Sequence, residues 1–183
     1  MVTFDRPLFP TGQVHLIGIS ESLEALRVVH DLLSQAGIGP PKLAFADAGL
    51  GRWPMVADIE SEIRAETETL VIFNIAALVG YKVRSRERIF KLMEGLRRVA
   101  LDNNVAVIGI TKTTDCWGGR QQIAGSTAWG EAASTVVTVH PGSTADTIAV
   151  SLDAPNMKPQ EFELVLSKQY QGVAVRTRLA KTR

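Results

Sequence analysis

Short runs of consecutive apolar residues alternate with longer amphipathic stretches through the first two thirds of the chain. The pattern predicts a short strand over 14–18, then a helix capped by Ser20 or Ser22 that reaches about Ala36, with Gly37 placed to end it. Gly39, Pro40 and Pro41 form a turn before a second strand over 42–46, and a Gly-containing loop follows over 48–54. A polar helix is expected over 55–66, and 70–74 is an all-apolar run ending on a polar residue, the mark of a buried parallel strand. Residues 84–100 are amphipathic at helical spacing, with Ile89, Leu92, Met93, Leu96 and Val99 on one face. Asp102, Asn103 and Asn104 turn the chain into a strand over 105–110. A long Gly-containing loop over 111–124, a short helix over 126–134 and a strand over 135–139 come next. The last third changes character: 147–153, 161–167 and 173–179 read as strands separated by turn residues. Strands alternating with helices, followed by a β meander, predict an α/β core built on a mainly parallel sheet with an antiparallel extension at its edge. No internal repeat and no low-complexity segment is visible.

A length of 183 residues is enough for one full hydrophobic core, so a single domain over 1–183 is expected, with its parallel part over 1–140 and its β extension and basic tail over 141–183. Hydrophobic content of 45% and charged content of 21% are ordinary for a globular protein. A net charge of +1 makes no demand for a nucleic-acid or membrane partner, although it leaves room for a local basic patch. The single Cys116 cannot form an internal disulfide and fits a reducing compartment. Residues 1–12 hold no long apolar run and 70–80 is too short to span a bilayer, so a cytoplasmic location and no membrane partner are expected.

The strand, turn and helix that follow Gly18 have the setting of a nucleotide-binding P-loop, whose pattern is G-x-x-x-x-G-K-[ST]. Counted from Gly18, the second glycine falls on Leu23, the lysine on Glu24 and the hydroxyl residue on Ala25. The phosphate-facing cation is replaced by an anion, and the hydroxyl that would bind the metal by a methyl. Glu21 and Glu24 would stabilise a helix N-terminus and repel a triphosphate there. The run 70–74 has the shape of a Walker B strand, but it ends on Asn74, a neutral amide, where ATPases place a carboxylate for hydrated Mg²⁺. The same run also reads as a plain buried strand ending at a turn residue. Lys112, just past the strand 105–110, is the one cation placed to sense a phosphate, and equally reads as a solvated loop lysine. In the loop that follows, Trp117 can stack on a base and Arg120 can meet a phosphate. Arg84, Arg86, Arg88, Lys91, Arg97 and Arg98 crowd one helix against Glu87 and Glu94, and the chain ends on a basic stretch. Either surface could touch nucleic acid, and either could be merely solvated. His15, His30 and His140 lack metal-ligand spacing, and no nucleophile elbow is present, so no catalytic residue and no metal ligand is assigned.

The order of these segments resembles the RecA-like ATPases of the P-loop superfamily, specifically the RepA-like hexameric replicative helicases and their AAA-labelled relatives. The likeness is strongest over 70–139, where Leu-Val-Ile-Phe-Asn74, Ile-Thr111-Lys112 and Ala-Gly125-Ser126 fall in the family's order. It implies a RecA-like three-layer fold with a degenerate nucleotide site at Gly18, Leu23, Glu24, Ala25, Asn74 and Lys112. The departures all run one way: Glu24 and Asn74 remove the cation and the metal carboxylate, Lys112 stands at the sensor histidine, and Ser134 stands where members carry an arginine. The resemblance therefore implies a pseudo-ATPase with a degenerate Walker A motif, binding no cofactor and acting as a binding, assembly or regulatory protein in DNA metabolism. A protein partner or self-association is expected, with the chain a monomer or dimer rather than a six-membered ring, and with only weak nucleic-acid binding through Lys112, Trp117 and Arg120. The alternatives are a divergent NTPase or helicase-like motor using ATP and Mg²⁺, and a DNA-binding accessory protein.

Overall fold

The apolar runs of the first two thirds pair edge to edge as expected for a parallel sheet. In the computed structural model, which describes residues 13–19, 23–35, 42–46, 55–82, 84–115, 121–123, 125–165 and 178–179, these runs are β1 (Gln13–Ile19), β2 (Lys42–Ala46), β3 (Thr67–Phe73) and β4 (Ala106–Ile110). All three pairings are parallel, and the strand order is β2-β1-β3-β4. The chain leaves β1 toward one side, reaches β2, and returns across the sheet to β3. β1 and β3 therefore lie side by side where the winding reverses.

Pairing fixes which side chains share a face. Ile17 stands beside Ile72, and both join Ile19, Leu70, Ile59, Ile89, Leu96, Ala128 and Trp129 in the main core. Leu16 stands beside Val71 and joins Val14, Val29 and Phe73 on the opposite face. Val29 belongs to α1 (Leu23–Gln35). The main core is closed by α2 (Val56–Ser61), a 3₁₀ segment (Ile75–Lys82), α3 (Arg86–Asn103) and α4 (Ala128–Ala132). Leu16, Ile19, Leu26, Leu70, Ile72 and Ile89 are completely buried, each side chain contributing about 1.5–3 kcal/mol.

Local signals explain where the helices start and stop. Ser85 caps α3 by accepting from the Arg88 amide at 3.4 Å, and Asn104 ends it in the left-handed region with φ 52°. Asp58 reaches back to accept from the Met55 amide at 2.7 Å, opening α2. Gly95 lets α2 approach α3, since a methyl there would press on Val56. Gly109 does the same between β4 and the 3₁₀ segment, where a methyl would overlap the Ile75 side chain.

Several elements differ from the sequence reading. The helix expected over 55–66 ends at Ser61, because Thr67–Phe73 is drawn into pairing with β1. The loop expected over 111–124 contains two short antiparallel strands, β5 (Thr113–Asp115) and β6 (Gln121–Ile123). The strand expected to finish the parallel sheet, β7 (Val136–Pro141), pairs instead with β8 (Thr147–Asp153). It opens a separate antiparallel sheet of order β10-β9-β8-β7, with β9 (Gln160–Val165) and β10 (Arg178–Leu179). The antiparallel strands are therefore not an edge extension of the parallel sheet. A local turn favours this outcome: the Gly142 amide donates to the Thr147 carbonyl at 2.9 Å, and the Thr144 amide to Thr147 Oγ1 at 3.0 Å. The chain divides into two compact units, one within 6–132 and the other formed mainly by 133–183.

Candidate functional site

Parallel strands deliver their last residues to one edge of a sheet, and open α/β sheets bind ligands in the crevice where the winding reverses. Here that crevice lies between the carboxyl ends of β1 and β3. Gly18 pairs with Phe73, and Phe73 with Ile110. Ile19, Asn74 and Thr111-Lys112 thus leave the sheet along the same edge. Three of the segments singled out in the sequence are brought together by this register.

Gly18 faces α1, and a methyl at this position would overlap the δ1 carbon of Leu26. The glycine is required for close helix-on-strand packing. Leu23, Glu24 and Ala25 form the first turn of α1, with Glu24 and Ala25 exposed. An acidic side chain in the first turn complements the helix dipole and disfavours a further anion there. Ser20, Glu21 and Ser22, the connection from β1 to α1, lie outside the described residues.

Asn74 follows β3 with φ 57°, in the left-handed region that asparagine tolerates better than most residues. Its Nδ2 donates to the Ile19 carbonyl at 3.1 Å, and its own carbonyl accepts from the Ala77 amide at 2.8 Å to start the 3₁₀ segment. The side chain therefore ties the end of β1 to the end of β3. An aspartate could not donate this bond, and would bring a negative oxygen against the Ile19 carbonyl.

Lys112 is exposed beyond β4 and forms no ion pair among the described residues. It is followed by the β5–β6 pair, in which Thr113 lies opposite Ile123 and Asp115 opposite Gln121. The connecting residues 116–120, with Trp117 and Arg120, lie outside the described residues. Beyond β6, Gly125 takes φ 96° and Ser126 Oγ accepts from the Ala128 amide at 3.2 Å. Gly125 and Ser126 thus make the turn and cap that open α4, while Ser134 is exposed past its end.

Two of the basic residues read as a surface cluster are structural. Arg86 pairs with Glu131 at 2.5 Å and lies over the Phe90 ring, with Cζ 5.0 Å from its centroid. Arg97 donates to the Ala132 carbonyl at 3.1 Å and to Glu94 at 3.3 Å. Both tie α3 to α4. The hydrogen bond from Arg86 holds the Glu131 carboxyl below the usual glutamate range, assisted by Thr127 and opposed by desolvation. Glu131 was the partner that reading α3 alone could not supply. Among the described residues no cluster of His, Cys, Asp and Glu is arranged to hold a metal ion, and no helix is long and apolar enough to cross a membrane.

Neither the known protein-family models nor the curated proteins compared with this sequence match it.

Proposed function

We propose that this chain is a RecA-like relative of the RepA-like and AAA-labelled ATPases whose nucleotide site has degenerated, and that it acts as a non-catalytic binding, assembly or regulatory protein in DNA metabolism. The main support is the bond from Asn74 to Ile19. The position that an ATPase gives to a Mg²⁺-holding carboxylate is occupied by a donor engaged with the backbone of β1. Glu24 adds an exposed anion in the first turn of α1, where a triphosphate would need positive charge. Without the lysine and the metal contact, phosphoryl transfer would lack most of its positioning and charge stabilisation. On this reading the sheet edge is retained as scaffold, and the ligand is a protein partner or a second copy of the chain.

A second reading, a DNA-binding accessory protein, is favoured by the exposure of Lys112 at the same edge. The divergent-motor alternative would use Lys112 to supply the missing cation. Isothermal titration with ATP·Mg²⁺, together with a phosphate-release assay, separates the proposal from the motor, and a salt-dependent DNA titration tests the accessory reading. The proposal expects neither tight binding nor turnover. A micromolar dissociation constant with motor-like turnover would replace it with the divergent NTPase.

A further inference from the structure

We propose that α3 carries a nucleic-acid backbone-binding stripe formed by Arg88, Lys91 and Arg98. The stripe is separate from the degenerate nucleotide site, so the inference stands or falls independently of that reading. Six cations crowd this helix and its N-terminal approach in the sequence. The structure divides them. Arg86 and Arg97 are committed to α4 through Glu131 and the Ala132 carbonyl. Arg88, Lys91 and Arg98 are exposed and form no ion pair among the described residues. At 100° per residue these three side chains fall within about 80° of one another on the helix surface, and their span along the axis is about 15 Å. That length matches about four phosphate steps along one strand of a duplex. Arg84, also exposed, precedes the Ser85 cap at the same end of the helix as Arg88.

The stripe runs along the seam with α2. Gly95, between Lys91 and Arg98, faces Val56 and adds no side chain that would stand between the cations. Glu60 and Asp102 border the seam near Arg98, and the exposed Glu87 and Glu94 stand one turn before Lys91 and Arg98 on the same side of the helix, which makes Arg88 the strongest of the three contacts and Arg98 the weakest. A phosphate backbone suits this surface better than a bilayer does. The apolar side of α3 is consumed by the core through Ile89, Leu96 and Val99, so no apolar face remains to insert among lipids. It also suits the surface better than an acidic protein would, because Phe90, the aromatic residue of this helix, is already covered by Arg86.

Fluorescence anisotropy of the full chain with a labelled mixed-sequence single strand tests the proposal. Three phosphate contacts predict a salt slope near 2, so affinity should fall roughly twenty-fold between about 50 and 200 mM salt. Each of Arg88→Ala, Lys91→Ala and Arg98→Ala should weaken binding about fivefold at about 100 mM salt and lower the slope by about 0.7. The triple variant should lose about a hundredfold. An Arg88→Lys/Arg98→Lys variant, which keeps the charge, should bind nearly as the parent does, and circular dichroism checks that each variant is folded. If the triple variant fails to fold, the single and lysine variants carry the comparison. Absence of binding at low salt, or binding unaffected by the three substitutions, overturns the proposal. Loss of binding on Lys112→Ala alone assigns it to the sheet edge instead. Capture on phosphatidylserine vesicles without binding to the oligonucleotide also overturns it, in favour of a membrane surface.

Discussion

Asn74 Nδ2 and the Ile19 carbonyl lie 3.1 Å apart, joining the turn that follows β3 to the end of β1 across the point where the sheet winding reverses. The bond links residues 55 positions apart in the chain. It needs a donor at position 74 and a residue at ease with positive φ, and asparagine supplies both.

Asn74→Asp should therefore destabilise the protein by about 1–3 kcal/mol, since the donor is lost and a carboxylate faces a carbonyl. Urea denaturation at neutral pH measures it. On the proposed reading the variant should also gain no ATP turnover, because Glu24 still places an anion in the first turn of α1. Parent-like stability together with Mg²⁺-dependent turnover would show that a carboxylate is at home in this position.

Gly18 and Leu26 form a second dependent pair. Gly18→Ala places a methyl against the fully buried Leu26 and should cost about 1–3 kcal/mol. Leu26→Ala alone should cost about 2–5 kcal/mol through the cavity it leaves. The double variant should be more stable than the sum of the two losses implies, because truncating Leu26 makes room for the new methyl. Additive losses in a denaturant series would show that the packing of α1 on β1 does not depend on this contact.

The Arg86–Glu131 pair should give a pH-dependent contribution. The folded carboxyl is held below the ordinary glutamate range, chiefly by the Arg86 hydrogen bond, so the folded state binds its proton less readily than the unfolded chain. The contribution is complete above the ordinary glutamate pKa and is lost as pH falls through the depressed value. Both side chains are exposed, so the effect is small and weakens with salt. Thermal melts of Glu131→Gln and the parent should differ at neutral pH and converge in acid. A difference that persists unchanged at low pH would assign the effect of the substitution to something other than charge.

Light scattering at micromolar concentration should give a monomer or dimer, with or without ATP·Mg²⁺. The RecA-like proposal predicts this because ring formation in that family uses nucleotide bound between neighbours, and Glu24, Asn74 and Ser134 stand where its contacts would be made. A stable hexamer would favour the motor alternative.

Element type was legible wherever one physical preference dominated. The strands over 42–46 and 147–153 coincide with their sequence limits, and α3 keeps the face of Ile89, Leu96 and Val99 read from its periodicity. β5 and β6 were not legible: Thr113, Thr114 and Asp115 carry no apolar alternation, and their pairing depends on Gln121, Gln122 and Ile123 returning beside them. Gly18 was visible as a glycine ending a strand, yet a phosphate turn and a tight helix contact both call for glycine there. The helix contact became visible only with the position of Leu26.

The sequence by itself determined the parallel α/β character of the first two thirds, the meander that follows, and the presence of an acid at position 24 and a neutral amide at position 74. Those features are local, set by side-chain period, strand length and residue chemistry. The strand order, the separation of β7 from the parallel sheet, the engagement of Asn74 with Ile19, and the division of the α3 cations into paired and free were decided by tertiary structure. Each depends on groups far apart in the chain reaching hydrogen-bonding or van der Waals distance, and that proximity has no counterpart in local periodicity.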